Sequence, residues 1–292
     1  MKKVLKWMGI FLGGLIGLIL VAVFILSSSA NARLNKAYAI QPAAVVISMD
    51  NASIEEGKRL TSIYCASCHG EDLGGTEFFH DPALAIVDAP NLTSGRGGVG
   101  SHYSDADWVR SIRHGVDPQG RALFIMPSKD FYHFSDAHLG QIIAYLKSVA
   151  PVDHETNGFS TTLLGKVLLA VGAFGDTLNA ESIDHDNPPE IAPLPAASAE
   201  YGDYLVNTFG CRTCHGSELA GGKDPNPDAP PGPNLTPGGN LANWSEQVFI
   251  TMVRTRQSEW MPFESLNKMS DDELKAIWLY LESLPPQATK TK

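Results

Sequence analysis

An unbroken apolar run over residues 7–26, WMGIFLGGLIGLILVAVFIL, is the strongest hydrophobic pattern in the chain. Its 20 residues are enough to cross the hydrocarbon core of a bilayer as a helix. Lys2, Lys3 and Lys6 precede the run, and basic residues so placed hold the nearer end of a membrane helix in the cytoplasm. The pattern predicts an N-terminal membrane anchor over residues 1–34.

A cleaved signal peptide is the alternative for this segment, because Ala30-Asn31-Ala32 has the small-x-small form of a cleavage site. The run is longer than the apolar part of a usual signal peptide, and Arg33 and Lys36 follow it as a basic flank. A retained anchor is therefore favoured. Both alternatives export the remainder of the chain.

Helical spacing of apolar residues recurs in the remainder, most clearly over residues 53–64 and 199–208. Ser270 and Glu273 form a capping box at one helix start, and Ser135 marks another start of the same kind. Because no alternating strand pattern recurs, we expect an all-α fold. The glycine- and proline-rich stretches, which predict loops, are residues 94–100 and 224–239.

The chain also contains an internal repeat. Four landmarks keep the same order in both halves: His-Gly followed by Gly-Gly, Pro-Asn-Leu-Thr, Met-Pro, and a helix that begins with Ser-Asp and ends with Tyr-Leu. They occupy residues 69–75 and 215–222, 90–93 and 233–236, 126–127 and 261–262, and 134–146 and 269–281. The repeat predicts two tandem domains of one kind, over residues 53–150 and 198–287.

Residues 151–197 have no counterpart in the repeat and form the predicted interdomain linker. Its stretch 162–174 is apolar except for Lys166, which predicts a helix too short to span a bilayer. Packing of this helix against a domain is favoured over a position on the membrane surface. Residues 187–195, with four prolines, predict an extended connector, and residues 289–292 a disordered tail.

All four cysteines lie in two copies of Cys-x-x-Cys-His, which is the attachment signature of c-type haem. Two thiols at this spacing form thioethers to one porphyrin edge, and the adjacent imidazole lies under the iron. A disulfide or a redox dithiol leaves both histidines unexplained. A zinc site is conceivable but does not require a histidine at each fifth position. The residues are Cys65, Cys68 and His69 in the first motif, and Cys211, Cys214 and His215 in the second.

The motifs therefore predict two covalent haem c groups with His69 and His215 as iron ligands. Haem of this type is attached outside the bacterial cytoplasm, which agrees with the export segment. We expect a single-pass protein of the bacterial inner membrane with its haem domains on the periplasmic side. The formal charge of −10 argues against nucleic acid as a partner.

The second axial position of each iron is predicted to hold a methionine, Met126 in the first domain and Met261 in the second. A thioether ligand makes a six-coordinate electron-transfer centre with a raised potential. Pro127 and Pro262 stiffen the backbone beside each sulfur. The alternatives for the first iron are the histidines His114, His133 and His138.

Arg113 and Arg254 occupy equivalent places before the two methionines and suit the haem propionates, since guanidinium pairs with carboxylates. A solvated helix face explains these arginines equally well. Trp108 and Trp244 lie near them in sequence and are predicted to form walls of the haem pockets.

Two irons closed on both axial sides predict an electron carrier that relays electrons between membrane-associated respiratory or dehydrogenase complexes. The alternative is a dihaem enzyme such as a cytochrome c peroxidase. Such an enzyme needs one open iron, and the paired methionines argue against that. The sequence favours the carrier.

The whole chain resembles membrane-anchored dihaem cytochromes c, with two class I cytochrome c domains over roughly residues 53–150 and 198–287. It is similar to the cytochrome subunits of membrane-bound alcohol and gluconate dehydrogenases, although it has two haem motifs where those subunits have three. The resemblance implies a membrane-bound redox complex as partner: a dehydrogenase, a quinol-oxidising complex or a terminal oxidase.

The resemblance also implies structural roles for repeated residues. The carbonyl groups of Pro90 and Pro233 are the matching candidates to orient the two proximal histidines. The family packs its first helix crosswise on its last through a contact between a glycine and an aromatic residue. The matching pairs are Gly57 with Tyr145, and Gly202 with Tyr280.

Overall fold

The computed structural model describes residues 2–187, 193–223 and 228–290. It begins with helix α1, Lys2–Leu34, which has the length and apolar composition of a membrane span. The apolar side chains of this helix are exposed, Leu18 for example to 71%. Such exposure is expected of a helix that lipid surrounds. Whether the segment is retained or cleaved stays a prediction.

The first domain is mainly helical, and its helices follow the expected start signals. α2 begins at Asn51, two residues before the start predicted from the sequence. It is capped by Asp50, whose carboxylate accepts a hydrogen bond from the Ser53 amide. The last helix of the domain begins after Ser135 as predicted. The elements are α2 (Asn51–Tyr64), α3 (Ala66–His69), β1 (Thr76–Asp81), β2 (Ala85–Ala89), α4 (Asp105–His114), α5 (Ser128–Phe131) and α6 (Asp136–Ser148).

Strands β1 and β2 form a hairpin that the hydrophobic pattern does not predict. β3, Phe159–Thr161, comes from the linker and pairs antiparallel with β2. The predicted α-helical fold class is confirmed, and the three strands are an addition to it. β2 buries Ala85, Val87 and Ala89 on alternate positions. Two alanines in that set conceal the alternation in the sequence, because alanine is no strand former.

The linker continues into α7, Leu163–Ala170, within the predicted apolar stretch. α7 packs against the turn between β1 and β2, where the Thr162 amide donates to Leu84 O at 3.0 Å. One face of α7 therefore contacts the first domain, and a position of its other face on the membrane surface stays open. Of the predicted extended connector, residues 188–192 lie outside the described residues.

The second domain repeats the helical order of the first. The predicted helix 199–208 is confirmed, and the capping box of Ser270 and Glu273 is present in both directions. The elements are α8 (Ala199–Thr208), α9 (Cys211–His215), β4 (Ala220–Gly222), β5 (Gly232–Asn234), α10 (Glu246–Thr255), α11 (Phe263–Leu266) and α12 (Asp271–Ser283). β4 and β5 form a short antiparallel pair.

The C-terminal tail is ordered as far as Lys290, whose amide donates to Ala220 O at 2.8 Å. The prediction of a disordered tail is thus wrong for Thr289 and Lys290, while residues 291–292 lie outside the described residues. The side chain of Asn234 donates to Gln287 O in the same C-terminal segment, residues 287–290. The sequence carries no local signal for this C-terminal segment, because its hydrogen bonds reach residues 53 and 70 positions earlier.

In each domain the first helix crosses the last at a glycine, as the resemblance implies. A Cβ atom at Gly57 would lie 1.9 Å from Gln141 O, and one at Gly202 would lie 2.0 Å from Ala276 O. Tyr145 and Tyr280 are the aromatic neighbours at these crossings. Only glycine permits so close an approach of the two helix backbones.

The two domains pack against each other through α2 and α6 of the first and α8 and α12 of the second. Ile63 of the first domain is 2% exposed and lies within the hydrophobic core of the second. The Arg59 guanidinium binds the nearly buried carboxylate of Glu273 at 2.8 and 3.0 Å. The Tyr204 hydroxyl accepts from the Ser135 amide and lies 2.7 Å from His138 Nδ1.

Gly202→Ala should destabilise the second domain by about 1–3 kcal/mol, because the added methyl group overlaps the Ala276 carbonyl and the helices must separate. Thermal and denaturant unfolding of the full chain measure the effect. The exposed Glu200 on the same helix supplies the control substitution Glu200→Ala. Equal stability of both variants would show that the helices do not cross at Gly202.

Candidate haem sites

The second Cys-x-x-Cys-His motif lines a cavity of about 290 Å³. Gly210, at φ +71°, ends α8 in the left-handed conformation, and α9 begins at the next residue with Cys211. Cys214, His215 and Met261 line the same cavity. The fold therefore brings two thiols, an imidazole and a thioether to one space.

The rest of that cavity is largely apolar. Trp244, which the sequence analysis predicts as a pocket wall, lies in it beside Phe249 and Leu241. An apolar, aromatic lining suits a flat porphyrin, and sulfur and imidazole donors suit its iron. The residues present thus fit a covalently bound haem.

Two further cavity residues were not recognised from the sequence. Met252, inside α10, lines the cavity together with Met261. Arg256 lies at the C-terminal end of α10 and also lines it. No motif marks either residue, because their places depend on how α10 packs. Met252 is the matched alternative to Met261 as a sulfur ligand.

The first motif lies at the equivalent place of the first domain, with Cys65 directly after α2. Cys65 and Met126 pack against the same hydrophobic core, which includes the buried side chain of Trp108. The indole nitrogen of Trp108 is buried without a hydrogen-bond partner. A buried donor of this kind costs free energy unless a further group accepts from it, and a haem propionate fits that need.

Both motif histidines are oriented by a proline carbonyl. His69 Nδ1 lies 2.8 Å from Pro90 O, and His215 Nδ1 lies 2.8 Å from Pro233 O. A carbonyl oxygen can only accept, so Nδ1 carries the proton in each ring. The lone pair of each neutral imidazole is then on Nε2, the atom that remains to bind iron.

The two proline carbonyls are held in place by a buried asparagine that follows each proline. Asn91 and Asn234 are both fully buried, and each side-chain oxygen accepts from the amide and hydroxyl of a threonine two residues on. The side-chain amide of Asn91 donates to Val152 O at the start of the linker, and that of Asn234 donates to Gln287 O at the end of the second domain. These hydrogen bonds hold each Pro-Asn-Leu-Thr segment in one conformation beside its histidine.

The cysteines do not resemble a reactive redox dithiol. All four are free of disulfides, and burial raises the pKa of Cys65 and of Cys211 to about 12. A nucleophilic cysteine needs a lowered pKa, and burial of this kind has the opposite effect. Within the described residues no group of three or more His, Cys, Asp or Glu side chains is arranged to hold a metal ion.

The histidines considered as alternative ligands of the first iron have other contacts or are exposed. His138 Nδ1 binds the Tyr204 hydroxyl between the domains. His114 Nδ1 lies 3.1 Å from His185 Nδ1 in the linker. His133 is exposed. These contacts favour Met126 over the three histidines.

Arg113 and Arg254 each bind the start of the last helix of their domain. Arg113, 3% exposed, donates to Phe134 O and to the Asp136 carboxylate, both at 2.8 Å. Arg254 repeats the pattern on Met269 O and Asp271 at 2.8 and 2.7 Å. Arg113 therefore does not lie on a solvated helix face. Its Nε atom is buried without a partner, and the contact with a propionate stays a prediction.

Asp130 of the first domain lies beside the second motif. A Cβ atom at Gly210 would lie 2.5 Å from Asp130 Oδ2. Burial raises the pKa of Asp130 to about 6, and the nearby Lys129 partly offsets this. The carboxyl group thus titrates close to neutrality at the domain interface.

The chain has two Cys-x-x-Cys-His motifs, and each follows the first helix of a domain, which crosses the last helix of that domain. These features define a protein with two c-type cytochrome domains. Residues 52–146 and 197–281 match the family described as cytochrome c oxidase, cbb3-type, subunit III. This match covers more than half of the chain, which therefore belongs to that family. Cytochrome c domains carry haem c with its iron.

The curated relatives include subunits of dehydrogenases. The cytochrome c subunit of the quinone alcohol dehydrogenase of Gluconacetobacter polyoxogenes is 25% identical over 280 residues, 81% of this chain and 57% of that protein. A nicotinate dehydrogenase subunit of Pseudomonas putida is 28% identical over 97% of this chain and 25% of its own length. The chain thus spans little more than half of the first relative.

Among solved structures, the Kuenenia stuttgartiensis reducing HAO-like protein complex is similar over 83% of this chain and all of the matched chain. The sequence identity is 18% and the TM-score 0.23.

The contribution of Asp130 to stability should fall as the pH rises from about 4 to about 6. Its folded pKa lies above the ordinary value of 3.8, so the folded chain holds the proton more tightly than the unfolded chain. Asp130→Asn should remove this loss and stabilise the protein at pH 7 by about 1–3 kcal/mol. Unfolding at a series of pH values measures it, with the exposed Asp105→Asn as control. An unchanged pH profile in Asp130→Asn would contradict the assignment.

Proposed function

We propose that the chain carries two haem c groups, each with histidine and methionine axial ligands, and relays electrons between membrane-associated redox complexes. The observation that carries the proposal is that Cys211, Cys214, His215 and Met261 line one cavity. The first domain supports it with Cys65 and Met126 on one core. Haem iron supplies one-electron chemistry, cycling between the ferrous and ferric states.

An aromatic cluster between the motifs supports transfer from one site to the other. Tyr64 directly precedes Cys65, and its ring lies 5.9 Å from that of Phe209, two residues before Cys211. The Tyr64 hydroxyl lies 3.2 Å from the Thr208 hydroxyl across the interface. Tyr64 packs against the cores of both domains. Close packing here holds the two motifs near each other, which would favour electron tunnelling between haems attached to them.

Partners are proposed from the comparisons. The family is described as an oxidase subunit and the relatives as dehydrogenase subunits. Both descriptions support a membrane-bound redox complex: a dehydrogenase, a quinol-oxidising complex or a terminal oxidase. The helix α1 supports attachment to the bacterial inner membrane, and we propose that the haem domains lie on its periplasmic side.

A dihaem enzyme such as a cytochrome c peroxidase is less well supported. It needs one iron with an open axial position, where peroxide binds. In the second domain both Met261 and Met252 face the cavity that would have to be open. In the first domain Met126 packs against the core beside Cys65. An electron-transfer subunit is therefore the proposed role.

Cys211→Ser combined with Cys214→Ser should leave one covalent haem, because each motif attaches its own porphyrin. Mass spectrometry and haem staining of the denatured full chain measure this. Cys65→Ser with Cys68→Ser is the matched variant and should also leave one. Two covalent haems in either variant would refute the assignment of one haem to each motif.

Met261→Ala should lower the midpoint potential of the second haem by on the order of 100 mV, since axial ligands control a range of roughly 0.8 V. The first haem should keep its potential. Spectroelectrochemical titration measures both. Met252→Ala is the matched control, because its sulfur lines the same cavity. A drop in Met252→Ala and none in Met261→Ala would show that Met252 is the ligand.

A further inference from the structure

The linker helix α7 leaves an apolar face uncovered. Leu163, Leu164 and Val171 are 58%, 51% and 59% exposed. With the half-buried Val167 and Leu168 they follow the spacing of one helix face. The opposite face of α7 packs against the rest of the protein, because Gly165 and Leu169 are buried. Nothing within residues 2–187, 193–223 and 228–290 covers these apolar side chains, which therefore require another partner.

The position of α7 beside the membrane helix points to that partner. α7 packs against the end of α1, where Ala30 is fully buried. The half-buried residues Val23 and Leu26 lie on the same side of α1 as Ala30, at helical spacing. Both belong to the last turn of the apolar run. α7 thus packs beside the C-terminal end of the apolar run of α1.

Polar contacts fix α7 in this position. The Arg33 guanidinium donates to Leu169 O near the end of α7 at 3.2 Å and pairs with Glu181 at 2.8 Å. At the other end, the Thr162 hydroxyl donates to Ala83 O at 2.7 Å. α7 is therefore clamped between the membrane helix and the hairpin turn of the first domain.

We propose that α7 lies in the outer leaflet of the bilayer, with Leu163, Leu164 and Val171 among the lipid acyl chains. Lipid is the occupant because the apolar face continues the surface of a helix that itself spans the membrane. Lys166 is the one charged residue of α7, and a long basic side chain reaches the headgroup phosphates from such a position. The first domain is then held at the membrane surface in one orientation.

The test uses the full chain with its haems, one copy in each lipid nanodisc. The discs contain a phospholipid with a photoreactive diazirine near the end of its acyl chain. Mass spectrometry of the digested protein locates the adducts. We expect adducts on peptides from residues 163–171 as well as from α1, and none on α8. Adducts on α1 without any on 163–171 would overturn the proposal.

Two variants make the test specific. Leu164→Glu with Val171→Glu should reduce the adducts on 163–171 several-fold and leave those on α1 unchanged. Leu194→Glu, at a linker residue that is 86% exposed, is the control and should change neither. Adducts that persist with both glutamates present would also refute the proposal.

A second copy of the chain is the competing occupant of this face. In that case α7 would take up no lipid adducts. In discs that hold two copies it would instead cross-link to the α7 of the second copy. That result would refute the proposal. Haem content, measured on the same samples, separates a failure of the membrane contact from a failure of the proposed electron-transfer role.

Discussion

The crossing of the first and last helices is the contact on which each domain depends. At Gly57 and Gly202 the absence of a side chain lets one helix lie directly on a carbonyl of the other. Each Cys-x-x-Cys-His motif begins within three residues of the end of the first helix. The position of the crossing therefore decides where the cysteines lie, and with them the histidine and its proline carbonyl.

The same first helices also join the two domains. Because α2 contributes Ile63 to the core of the second domain and Arg59 to Glu273, the interface combines apolar burial with a partly buried ion pair. Glu273 additionally caps α12, so one carboxylate serves both the helix start and the interface. A relay needs a constant separation between its centres, and such an interface restricts relative motion of the domains.

The two halves differ although their landmarks repeat. The first domain adds a three-stranded sheet, and its linker ties it to the membrane helix through α7 and Arg33. The second domain has a cavity lined by a further methionine, Met252, and by Arg256. Both halves thus keep the attachment motif, the Pro-Asn-Leu-Thr segment beside the histidine, and the helix crossing. The strands added to the first domain and the lining of the cavity in the second domain have diverged.

The sequence alone determined the haem-attachment motifs, the helix starts and the duplication, because these signals are local: a fixed spacing, a capping serine, a repeated string. It also indicated Pro90, Pro233 and both crossing glycines through resemblance. Only the tertiary structure decided the pairing of β2 with β3, the partners of Arg113, the place of Met252 and the position of α7. Those features join residues far apart in the chain, and their energies depend on burial that no local pattern records.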